Sequence, residues 1–135
     1  MRPHPSIRDA ALYDAPIAAR TLARAFDADP SLNWALRRDE KRRQAMLEFF
    51  DVSFRVMTLP FGCVQMTEDG AGVALWTPPG KWQLGVWKQL GLFPTFVRVL
   101  GAARLPRMVR CMNVLQERHP RVPHYYLFAM GVDPE

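Results

Sequence analysis

Residues Tyr125 to Glu135 read YYLFAMGVDPE and are approached through Arg121-Val122-Pro123-His124. Tyr125, Tyr126, Leu127, Phe128, Met130 and Val132 form an aromatic and β-rich run, which predicts a strand buried on both faces. Gly131 interrupts it. A glycine near the end of a strand gives room for the close approach of another backbone or a ligand, and Pro134 then stops regular pairing.

Upstream, Cys63-Val64-Gln65-Met66-Thr67 and Val73-Ala74-Leu75-Trp76 flank Asp69-Gly70, a strong hairpin signal that predicts an antiparallel pair. Ser6 to Ala10, with Pro3 and Pro5 ahead of it, reads as a short first strand. Asp14 is placed to cap a helix with Pro16 in its first turn. Ala18, Leu22, Ala25 and Phe26 recur at helical spacing, so the helix is expected from about Ala15 to Ala28, ending at Asp29-Pro30. Ser31 to Leu36 reads as a tight connection carrying Trp34. From Glu40 to about Met57, Met46, Phe50, Phe54 and Met57 lie on one helical stripe with Leu47 beside it, and Leu59-Pro60-Phe61-Gly62 breaks the pattern. Lys81 to Pro120 reads as several helices cut by Gly91, by Pro94 and near Leu105-Pro106. Their stripes are Leu84, Trp87 and Leu90, then Phe93, Phe96, Val97 and Leu100, then Val109, Met112 and Leu115; such stripes are expected in the core, the alternative being a membrane-surface or partner-binding face, since Trp, Phe, Lys and Arg alternate here. The order strand, helix, helix, strand, strand, helices, strand predicts an α+β or three-layer domain with a mostly antiparallel sheet of about four strands and helices on its faces.

The run YYLFAMGVDPE, after a helix ending in Glu117-Arg118-His119-Pro120, resembles the fourth strand of the GNAT N-acetyltransferases. Gly72-Val73-Ala74-Leu75-Trp76-Thr77-Pro78-Pro79-Gly80 resembles their third strand and its exit, in a branch with extra helices there. The resemblance covers residues 1–135 as one GNAT-like domain that is incomplete at its C-terminal side, and it implies that the first four strands are neighbours. It also implies acetyl-CoA as cofactor and an amine on a small molecule or peptide as acceptor. A main-chain N–H near the end of the fourth strand holds the thioester carbonyl in that family, and the strand's backbone pairs with pantetheine. The matching positions are Ala129, Met130, Gly131 and Val132. Phe26, Trp34, Trp76 and Tyr126 are the candidates for the acceptor cavity.

The family's glycine-rich pyrophosphate loop, and the later helix that often carries a tyrosine acid, have no counterpart before Glu135. Weak or no transfer is therefore expected of these residues alone, since a multiply charged cofactor needs a cluster of N–H donors at a helix N-terminus. Arg104, Arg107 and Arg110 offer only undirected attraction to phosphates. The catalytic acid and base stay unassigned. Glu68 and Glu117 are the first carboxylates to inspect, with Glu68 expected to face solvent. Among the histidines, His4 is near the start of the chain, His119 ends a helix, and His124 introduces the last strand, where an imidazole could take a proton from an amine. The alternative to catalysis is a domain that serves dimerisation, partner binding or small-molecule binding on the same scaffold.

Bulk properties bound the rest. A chain of 135 residues that is 49% hydrophobic suits one domain able to bury a core. The net charge of +5 permits an acidic partner. The basic residues are dispersed, however, and Arg37-Arg38 and Lys41-Arg42-Arg43 are interrupted by Asp39 and Glu40, which reads as a solvated helix start and against nucleic acid. Cys63 and Cys111 have no metal-ligand spacing and are expected as buried free thiols in a reducing compartment. Arg2 is followed by no apolar core of a signal sequence, and no apolar run approaches the roughly 18 residues of a membrane span. A cytoplasmic protein without a membrane partner is the expectation. An exposed last strand also predicts a homodimer through Tyr125 to Val132.

Overall fold

A computed structural model describes residues 4–135. Pro3 and Arg2 lie outside the described residues. Strand β1 (Ile7–Asp9) leads through a 3-10 turn (Leu12–Asp14) into α1 (Ala15–Ala25), α2 (Pro30–Ala35) and α3 (Arg42–Val52). The α3 rod continues as a π-helical turn (Ser53–Thr58) and a 3-10 turn (Leu59–Phe61) before β2 (Val64–Thr67) and β3 (Gly72–Thr77). Helices α4 (Val86–Leu100) and α5 (Leu105–Arg118) precede β4 (Tyr126–Val132).

Among the described residues the strands form one antiparallel sheet in the order β1-β2-β3-β4, the neighbourhood expected from the resemblance. Register follows hydrophobicity: Val64 faces Leu75 and Met66 faces Val73, and all four are buried. Because side chains alternate along a strand, this places one apolar face against the helices. That face meets Ala15, Ala18 and Leu22 of α1, Ala45, Met46 and Phe50 of α3, and Phe54 beyond it. The Met46, Phe50 and Phe54 part of the predicted stripe is fully buried, whereas Met57 is half-buried.

Several local readings are corrected. Asp14 does not cap α1 with its side chain; it receives Arg8 through two bonds of 2.8 and 2.7 Å and accepts the Ala11 N–H at 2.8 Å. Helix α1 stops at Ala25, and Asp29 instead caps α2, accepting the Leu32 N–H at 2.9 Å with Pro30 just inside the helix. The segment expected as a connection is thus mostly a short helix. In the π-helical turn the Thr58 hydroxyl is shared between the carbonyls of Ser53 at 2.9 Å and Phe54 at 3.2 Å, adding a side-chain donor to the turn.

Neither Gly91 nor Pro94 cuts α4. Pro94 sits on its exposed half, where water can take the carbonyl left without a donor, and the helix ends at Gly101, whose φ is +83°. The stripes on α4 and α5 are only partly core. Val99 and Leu100 are buried and Phe96, Leu105 and Met108 pack against the core, but Trp87, Leu90, Phe93, Val109, Met112 and Leu115 are exposed. Helical periodicity identifies an apolar face without saying what covers it. Cys63 and Cys111 are free but only half-buried.

Strand β4 is the other correction. It lies at the end of the sheet, and of its residues only Ala129 is buried, while Tyr126, Leu127, Met130 and Val132 are exposed. The room at Gly131 is taken by α1: a Cβ there would lie 2.7 Å from the Ala25 Cβ and 3.2 Å from Leu22 and Phe26 side-chain atoms. Two Cβ atoms fixed to backbones cannot turn away from each other. Gly131→Ala is therefore expected to destabilise the fold by about 1–3 kcal/mol, the usual cost of overpacking, seen as a lower urea midpoint. An unchanged midpoint would show that α1 shifts freely.

Candidate active site

The β4 ladder contains one irregularity. Leu75 faces Ala129, but the next residue, Trp76, faces Leu127, so Phe128 is an extra residue with no opposite number. Such a bulge bends its strand and re-aims neighbouring side chains. Phe128 and Ala129 consequently line the same cavity of about 230 Å³, together with Phe26, Leu32, Phe49 and Phe50. Its wall is a chain of rings: Phe26 and Phe50 lie 5.4 Å apart, Phe49 and Phe50 5.1 Å, and Phe49 and Phe128 6.3 Å. These separations fall in the range of favourable aromatic pairs.

This cavity joins one acceptor candidate, Phe26, to one cofactor candidate, Ala129. The remaining candidates are distributed elsewhere. Met130 and Val132 are exposed along β4, and Gly131 is half-buried against α1. Trp76 is half-buried at the third strand's end. Tyr126 lies edge-on to His119 at 5.4 Å. Trp34 is drawn to α5, where the Arg107 guanidinium lies 4.3 Å from its ring centre.

The structure also gives two of the three arginines another task. Arg104 donates to the carbonyls of Trp34 and Leu36, and Arg107 donates to that of Trp34. These carbonyls close the C-terminal end of α2, where cations are favourable. Arg104 and Arg107 thus tie α5 to α2 and are not free to gather phosphates. Glu68 is exposed in the hairpin loop, as expected, and Glu117 is exposed on α5; neither lines a described cavity.

A second, open cavity of about 480 Å³ lies at the other end of β4, between the β3 exit and the C-terminal end of α5. It is lined by Trp82, His119, Arg121 and His124 among others. Burial, and secondarily the nearby His124, push the His119 imidazole below its ordinary pKa. Its Nε2 is buried without a partner, as is the Thr77 hydroxyl at the end of β3.

Phe128, Phe49 and Trp82 were not legible as cavity residues in the sequence. The alternation of an apolar strand does not mark which residue will be bulged, and a tryptophan in a connection carries no sign of its stacking partner. No cluster of three or more metal-binding side chains occurs among the described residues. No described helix is long and apolar enough to cross a membrane.

No family model matches the sequence. Among solved structures, that of histone acetyltransferase HPA2 and related acetyltransferase from Corynebacterium glutamicum is similar, with a TM-score of 0.68 and 22% identity. The similarity covers 96% of this chain and 61% of that one, so this chain spans less than two thirds of the length of the protein it matches. What the two share at that identity is fold: a four-stranded antiparallel sheet flanked by helices, the architecture that the GNAT resemblance implied.

Proposed function

We propose that this chain forms the strand edge against which acetyl-CoA lies in an N-acetyltransferase, the complete protein transferring an acetyl group to an amine of a small molecule or peptide. The observation that carries the reading is the bulge at Phe128, set in a terminal strand immediately before Ala129, Met130, Gly131 and Val132. Acetyl-CoA supplies an acetyl thioester and an arm bearing amides. The N–H groups of Ala129 to Val132 that turn away from β3 are donors for an added extended chain. One beside the bulge is placed to donate to an oxygen on which negative charge develops. The edge suits this use because its exposed residues, Met130 and Val132, carry no charge to repel an incoming chain. Gly131 contributes backbone only, since α1 fills its Cβ space.

Phe26, Phe49, Phe50 and Phe128 give the acceptor side an aromatic wall beside Ala129, in a cavity that Asp29 and Ser31 also line. No residue of this chain is assigned the phosphates or the proton transfer.

Calorimetric titration tests the reading. Acetyl-CoA and desulfo-CoA are expected to bind saturably, and adenosine bisphosphate is expected not to bind, because the chain supplies a strand and not a phosphate cradle. Deleting Phe128 should remove the binding of both. Equal binding of adenosine bisphosphate, or no heat from any compound, would overturn it.

The same exposed edge favours a second reading, pairing with another copy of the chain. Neither α4 nor α5 is a principal neighbour of β4, which packs on β3 and α1. Concentration-dependent association is therefore expected in sedimentation, and Met130→Lys should suppress it. A strict monomer at high concentration would count against this pairing.

A further inference from the structure

The segment joining α5 to β4, His119-Pro120-Arg121-Val122-Pro123-His124, holds two prolines, and a residue before proline is pushed toward extended backbone. His119 accordingly leaves α5 at φ −64° and ψ 133°. The extended loop brings the two imidazoles together, with ring centres 4.8 Å apart. Trp82, from the connection between β3 and α4, stacks on His119 at 3.7 Å with 16° between the planes. Tyr126 closes the group edge-on. None of these four residues belongs to the buried core, so core packing does not account for their assembly.

The hydrogen bonding of the group is incomplete. His124 Nδ1 lies 2.6 Å from the Val122 carbonyl, which can only accept, so Nδ1 carries a proton and, in the neutral imidazole, Nε2 is the acceptor. The Nε2 of His119 has no partner at all. Buried or half-buried polar atoms in native proteins are ordinarily paired, and exceptions call for an explanation. The cavity that Trp82, His119 and His124 line, about 480 Å³, falls within the roughly 300–1,000 Å³ of small-molecule sites. Fewer than three metal-binding groups gather here, which argues against a metal ion as its occupant.

We infer that this cavity binds a flat aromatic or heteroaromatic molecule carrying an N–H or O–H donor, its ring packed on the Trp82 and His119 pair and its donor bonded to His124 Nε2. His119 acts as a positioning residue that holds both Trp82 and His124. The site is separate from the β4 edge assigned to acetyl-CoA, and it stands whether or not that assignment does.

Indole and N-methylindole, the same ring with and without a donor, provide the test on the full chain. NMR signals of Trp82, His119 and His124 should shift saturably at millimolar indole, with indole binding about fivefold tighter, the factor supplied by one net hydrogen bond of ~1 kcal/mol. His124→Phe keeps a flat ring but removes the acceptor, and should make the two probes bind alike. Equal affinities on the unaltered chain, or no saturation with either probe, would overturn the inference. The comparison on the unaltered chain needs no variant, so it remains decisive even if His124→Phe fails to fold. A negative acetyl-CoA titration alongside tighter indole binding would defeat the acetyl-transfer reading and leave this one intact.

Discussion

Arg8→Ala is expected to lower the urea midpoint of the fold, because it removes the guanidinium partner of a buried carboxylate. The asymmetry of burial makes the prediction specific. The Asp14 side chain is 2% exposed, whereas that of Arg8 is 34% exposed. Losing Asp14 lets Arg8 return to water, but losing Arg8 strands a carboxylate in the core with one remaining donor, the Ala11 N–H. Asp14→Asn should accordingly cost less than Arg8→Ala.

Acidity separates the two states further. The Arg8 hydrogen bonds, aided by the Ala11 N–H and against the opposing effect of burial, hold the Asp14 carboxyl below its ordinary pKa. The unfolded chain therefore takes up this proton first as pH falls. The stabilisation is complete above the unfolded value of about 4 and is lost as pH drops through the lower folded value. In Arg8→Ala burial dominates and raises the folded pKa, so this contribution reverses sign and the variant's deficit shrinks as pH approaches 4. Urea midpoints between neutral pH and pH 4 would show the two chains converging; a constant gap would refute the assignment.

Phe54→Ala should lower stability by about 3–5 kcal/mol, the range for truncating a buried phenylalanine. Phe54 is 0% exposed and follows α3 directly, inside the π-helical turn that faces the sheet. Thr58 pins that turn through its hydroxyl, which limits how far the backbone can collapse into the void. Phe96→Ala, at the partly buried margin where α4 meets the core, should cost clearly less. Thermal or urea unfolding of the two variants checks the order, and equal losses would mean that α4 is as firmly packed as α3.

The sequence by itself determined the elements whose signals are local. The Asp69-Gly70 hairpin, the first strand, the α1 and α3 stripes and the order that yields a four-strand antiparallel sheet were all legible, because alternation and helical spacing record which side of an element is apolar. So was the four-stranded architecture that the GNAT resemblance of Tyr125 to Glu135 implied. What covers each apolar side was decided by tertiary structure alone. The stripes of α4 and α5 look like those of α1, yet much of them is exposed, since only the C-terminal half of α4 and the first turn of α5 reach the core. Strand β4 reads as doubly buried but forms the sheet's edge. Gly131 was legible as a place of close approach, although only packing could show that helix α1 makes it. The bulge at Phe128 and the meeting of Trp82 with His119 and His124 arise from pairing register and loop path, and both depend on residues distant in sequence, so no local pattern encodes them.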